Sequence, residues 1–179
     1  MSKEHLYVEQ LKRFQQGEVF DAHNEYITHY GIKSGRFGEE LIQEILGDNF
    51  ATGVLNRKIK RTNGRYYSAD GYIPSLNVYL ESKFLTFCTA GTAPEKLPYF
   101  LFKAEEYDKP VVLILGGEHE LLKDEPSYYL WTAYNEPDKC SSKAALALVN
   151  AVRHKIAGIV KLSELRSWVS AQEAKLKAL

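Results

Sequence analysis

Cysteine is almost missing from this chain, with Cys88 and Cys140 the only two in 179 residues. Two thiols are too few for a disulfide framework and are wrongly spaced for zinc, so a reducing cytoplasm is the expected setting and any metal should be held by oxygen. Long apolar runs are missing as well. No stretch approaches the ~18 residues that would span a bilayer, and the opening Met1-Ser-Lys-Glu-His5 has no apolar signal core, so a soluble, unexported protein is expected. Net charge is also absent: Lys plus Arg and Asp plus Glu both total 23, a balance that does not advertise a nucleic-acid binder. There is no Gly-x-x-x-x-Gly-Lys phosphate loop and no Gly-x-Ser-x-Gly elbow, so nucleotide-driven motors and serine hydrolases are unsupported.

What is present is enough apolar material, 45% of residues, to bury one substantial core. A single domain over 1–179 is expected, with its core at about 34–116 and a helical part at about 141–179. Charge is distributed unevenly. Arg57, Lys58, Lys60, Arg61 and Arg65 cluster with no acid among them, whereas residues 105–138 hold nine acids against Lys109 and Lys123. The basic cluster suits a phosphate backbone; the acidic stretch does not.

Periodicity predicts helices over 4–16 and 34–46, the second with Ser34 as N-cap and Phe37, Leu41, Ile42, Ile45 and Leu46 as its apolar stripe. Strands are expected at 52–60, 65–70 and 76–85, then a helix over 92–107 capped by Thr92, with Pro94 in its first turn and Pro98 as a kink. The apolar run between Pro110 and Gly116 reads as a strand buried on both faces. Strand, helix and buried strand in that order form a parallel crossover. A further strand is expected at 128–134, and helices at 142–154 and 163–178. The fold class is therefore α/β, a mixed central sheet flanked by helices.

Alternation along the 76–85 strand puts Asn77, Tyr79, Glu81 and Lys83 on one face. Asp70, before Gly71, lies where the preceding connection can bring it to the same spot. Two carboxylates and an ammonium at one point suit phosphodiester hydrolysis: Mg²⁺ takes one or two carboxylates with water and phosphate oxygens, and a lysine beside it can hold or deprotonate the attacking water.

The text around these residues, Ser68-Ala-Asp-Gly-Tyr-Ile-Pro-Ser-Leu-Asn-Val-Tyr-Leu-Glu-Ser-Lys-Phe84, resembles the core of the PD-(D/E)XK, or restriction-endonuclease-like, nucleases. By that resemblance Asp70 and Glu81 are the metal-binding acids and Lys83 the catalytic lysine, although Ala69 stands where the family's naming proline would. Gly35-Arg-Phe-Gly-Glu-Glu-Leu-Ile42 resembles the family's helix that carries a further glutamate. Either Glu39 or Glu40 matches, and Glu39, at the rim of the apolar stripe, is better placed to face a site. Gly91-Thr-Ala-Pro-Glu-Lys96 is similar to a motif that follows the Glu-x-Lys strand in some type II restriction endonucleases, so Thr92 and Lys96 join Arg57, Lys58, Lys60 and Arg61 as candidate DNA contacts.

The resemblance implies a restriction-endonuclease-like fold and a Mg²⁺-dependent endonuclease acting on double-stranded DNA. It would be a type II restriction enzyme or the catalytic subunit of one, working as a homodimer or with a second nuclease or recognition subunit. A junction-resolvase-like nuclease and a non-catalytic DNA-binding subunit are the alternatives. Glu118-His119-Glu120 and the pair His23 and His29 are weaker metal candidates, the first read as a turn after Gly116-Gly117.

Overall fold

The computed structural model describes residues 1–87, 93–121 and 123–178. Its centre is a five-stranded mixed sheet, in which the side chains of the three parallel strands alternate between two separate apolar clusters. The strands are β1 (Ala51–Thr52), β4 (Gly71–Ile73), β5 (Val78–Leu85), β6 (Val111–Gly117) and β7 (Ile156–Lys161), hydrogen-bonded in that order. Strand β4 runs antiparallel to both β1 and β5, whereas β5, β6 and β7 are parallel. All seven residues of β6 are buried, as its unbroken apolar run predicts.

Four helices cover one face: α1 (Lys3–Gln15), α2 (Ala22–Tyr30), α3 (Ser34–Leu46) and α7 (Leu165–Lys177). Their Tyr7, Tyr26, Phe37, Leu41 and Val169 pack on Ile73, Val78, Leu80, Val112 and Ile114. The other face carries α4 (Ala93–Glu106), α5 (Pro126–Asn135) and α6 (Lys143–Val152), whose Leu97, Leu101, Leu130 and Val149 meet Tyr79, Leu113, Leu115 and Ile159. A second, two-stranded sheet of β2 (Leu55–Lys60) and β3 (Tyr66–Ser68) stands apart as a ribbon.

Several elements differ from expectation. Residues 128–134 belong to helix α5 rather than a strand, because Pro126 opens the helix and the face bearing Leu130 and Ala133 packs into the core. Aromatic β-propensity yields there to tertiary packing. The expected strand over 52–60 is divided between two sheets, and that over 65–70 shortens to β3, with Asp70 in the bend before β4. Helix α2 and strand β7 were not expected, and β7 interrupts the stretch 141–179 read as helical. Lys33, not Ser34, occupies the N-cap of α3, and Asn77 precedes β5 in a left-handed conformation instead of sharing its face. Thr92 and Cys88 lie outside the described residues.

Candidate active site

The site forms where β4 leaves β5. The antiparallel register pairs Gly71 with Leu80, and one step further sets Asp70 across from Glu81. With β4 gone, the edge of β5 is open, and the Ser82 N–H donates to Asp70 Oδ2 at 2.8 Å. Burial followed by the nearby charge of Glu81 raises the Asp70 pKa, against the Ser82 hydrogen bond and the Lys83 and Lys103 charges.

Glu81 lies deeper, 3% exposed, on the α4 side of the sheet. Lys83 Nζ approaches its Oε2 at 3.2 Å and Lys103 Nζ its Oε1 at 2.7 Å. The Tyr107 hydroxyl also donates to Oε1. Burial pushes Glu81 up, but the charges of Lys83 and Lys103 and the bonds from Lys103 and Tyr107 outweigh it, and its pKa is held below the ordinary glutamate range. The same carboxylate, with burial as the larger cause, raises the Tyr107 phenol far above its usual value. Lys83 also donates to the Ser82 carbonyl at 3.1 Å, a contact that fixes its ammonium at the β5 edge.

Lys103 is the residue that sequence reasoning missed. Its only signal was the spacing to Tyr107, four positions on, which puts both on one helical face and lets both reach Glu81.

Glu39, Asp70, Ser82, Lys83 and Lys96 line one open cleft of about 270 Å³, together with Gly38 and Phe84. Gly38 is what lets α3 come so close: a Cβ there would stand 3.0 Å from the Phe84 ring. Burial and then the Asp70 charge raise the Glu39 pKa. Glu40 instead turns away to Lys3 at 3.9 Å and Arg36 at 3.7 Å. Of the two helical glutamates, Glu39 is therefore the one in the cleft.

Arg57, Lys58, Lys60 and Arg61 are exposed on or beside β2. The ribbon is tied to α4 by Asn56, whose Nδ2 donates to the Glu106 carbonyl at 2.7 Å and whose Oδ1 accepts from the Lys58 N–H. Arg61 stacks on Tyr67 at 4.6 Å, and Lys103 lies 5.9 Å from the same ring, so the basic ribbon adjoins the lysine that holds Glu81.

The weaker metal candidates do not assemble. Glu118–Glu120 is a single 3₁₀ turn in which Glu120 Oε1 accepts from Tyr7 and the Ser163 N–H, and His23 pairs with Ser34 Oγ. Among the described residues no three acidic, histidine or cysteine side chains converge on one point, and no helix is long and apolar enough to cross a membrane. No family model matches the chain, and no curated protein or solved structure matches it.

Proposed function

We propose that this protein is a Mg²⁺-dependent DNA endonuclease of the restriction-endonuclease-like class, a type II restriction enzyme or its catalytic subunit. The observation that carries the reading is the open edge of β5, where the register sets Asp70 across from Glu81 while Lys83 and Glu39 line the Asp70 cleft. The donor set fits the ion: Asp70 and Glu39 are carboxylates whose pKa values are raised by burial first and then by a neighbouring acid, Glu81 for Asp70 and Asp70 for Glu39, and such oxygen donors suit a hard divalent cation. Asp70 would hold the ion, with Glu81 exchanging a lysine contact to join it. Bound Mg²⁺ would stabilise the charge that develops on the phosphate. Lys83, anchored on the Ser82 carbonyl, would orient the attacking water and, in its neutral amine form, accept the water's proton to become the ammonium. The exposed ribbon with Arg57, Lys58, Lys60 and Arg61 grips the double-stranded backbone, and Lys96 adds a cation at the rim of the cleft.

One feature favours the non-catalytic alternative: both Glu81 oxygens are already engaged by ammonium groups, and Oε1 by the Tyr107 phenol as well. Incubating plasmid and branched DNA with the protein and Mg²⁺, beside Lys83→Ala and Asp70→Asn, separates the readings. Cutting of linear-duplex sequences by the wild type alone is expected. Preference for branched DNA would indicate a resolvase, and equal cutting by the variants would sink the residue assignment.

A further inference from the structure

Strands β5, β6 and β7 run parallel, so their carboxyl ends share one edge of the sheet, the edge at which open α/β sheets receive ligands. Lys83 pairs with Leu115, and Leu115 pairs with Lys161. The three side chains therefore form one row on one face, with the two lysines about 9.6 Å apart, two strand spacings. Beyond Leu115 the chain turns at Gly117, which a side chain could not occupy because a Cβ would meet the Leu85 carbonyl oxygen at 1.7 Å. That turn puts His119 over the row.

There His119, Glu120, Lys161, Lys123, Tyr128 and Trp131 wall a cavity of about 120 Å³, against the ~10–15 Å³ that a single water needs on the same kind of measure. His119 is 4% exposed, and among the described residues its Nε2 has no hydrogen-bond partner. A buried polar nitrogen left without a partner is costly and points to a missing ligand or water. Lys161 sits 4.5 Å from the centre of the Trp131 ring, and among the described residues neither Lys161 nor Lys123 forms an ion pair. Glu120, the acid in the wall among the described residues, has its oxygens bonded by Tyr7 and Ser163; burial raises its pKa, against those hydrogen bonds and the charge of Lys161. The cavity thus offers two lysine ammonium groups beside an imidazole whose pKa burial, and then the Lys83 charge, lowers to about 4. A cation would be repelled by the lysines, and an apolar guest would leave His119 unpaired.

We propose that this cavity is a phosphate-binding subsite, holding a backbone phosphate of the same DNA strand whose scissile bond lies at Asp70. It rests on the nuclease reading only for the source of that phosphate. A strand advances ~3.4 Å per nucleotide along a duplex axis and farther along its own backbone, so the span from Lys83 to Lys161 is covered within about three nucleotides and a strand crossing the carboxyl edge of the sheet touches both lysines. The subsite would set the strand's register while Asp70 and Lys83 act on it.

The test is the response of the His119 imidazole resonances to inorganic phosphate and, separately, to a short single-stranded DNA oligonucleotide without Mg²⁺. Both are expected to shift His119, with Lys161→Ala weakening each by about tenfold or more and Lys161→Arg restoring most of the affinity. Silence of His119 toward both ligands, or undiminished binding by Lys161→Ala, overturns the subsite. A shift with phosphate and none with the oligonucleotide overturns the strand assignment. A protein that cuts no DNA yet shows both shifts refutes the nuclease reading and leaves the subsite standing.

Discussion

Replacing Lys83 by alanine removes the ammonium that touches both Glu81 and the Ser82 carbonyl. Cleavage should fall by ~10²–10⁴-fold, the usual contribution of a positioned proton-transfer group, with DNA binding retained in a filter or gel-shift assay. Asp70 carries the opposite kind of strain. Folding raises its pKa, so the native state holds its proton more tightly than the unfolded chain, and stability falls as pH rises from the ordinary aspartate range through the elevated native value. Asp70→Asn escapes that penalty. Thermal melts at pH 7 should place it above the wild type, with the gap closing on acidification, and no gap at pH 7 would contradict the electrostatic account. Glu81 behaves inversely, since its lowered pKa adds stability that is lost as pH falls through the native value. Glu81→Gln should cost about 1–3 kcal/mol in urea unfolding, less than the ~3–5 kcal/mol of a fully buried pair because both lysines keep partial contact with water. Asp70, Glu81 and Lys83 were visible in the chain because two of them share a strand face at a spacing of two. Lys103 was not, because it reaches Glu81 from a helix whose orientation no local pattern encodes.

Among the elements, α3 depends on a single missing side chain. Gly38→Ala must push the Phe84 ring aside by a few tenths of an ångström or lift the helix, an overpacking effect of ~1–3 kcal/mol. Glu39 would move with the helix, so cleavage should drop by more than the melting temperature alone explains. Strongly periodic helices and the apolar β6 run were legible because burial on one face or both leaves a direct trace in residue order. Helix α2 was not: Ala22-His-Asn-Glu-Tyr-Ile-Thr-His-Tyr30 buries only Ala22 and Tyr26 and carries a weak stripe. Strand β7 is short and broken by Gly158, where a Cβ would stand 2.8 Å from Trp168, so its glycine marks helix packing rather than a turn. The strands of the ribbon were legible at 52–60 and 65–70, but their separation from the main sheet was not, since it depends on where the chain changes partner between Thr52 and Leu55. Neutralising Arg57 and Lys58 should weaken DNA binding uniformly across sequences and lower the slope of log affinity against log salt by about 1 for each phosphate that is no longer neutralised.

At the scale of the whole molecule, one chain presents one Asp70–Glu81–Lys83 constellation, so cutting both strands of a duplex needs a second copy or a partner. Plasmid treated with the chain alone should accumulate nicked circles if it works singly and linear product if it dimerises, with sedimentation under the same conditions deciding between them. The nuclease-like stretch of sequence ends near Gly116, yet the molecule is closed from beyond that limit. Tyr7 donates to Glu120 and accepts from the Gly117 N–H, while Ser163 bonds both oxygens of the same glutamate. These contacts bridge 110 or more residues in one direction and 43 in the other. The clasp therefore cannot close until the chain has been synthesised out to Ser163, although α1 can already dock on α3 through Glu44. Removing the Tyr7 hydroxyl should accelerate unfolding while leaving the refolding rate nearly unchanged, the kinetic mark of a clasp fastened after the barrier has been crossed.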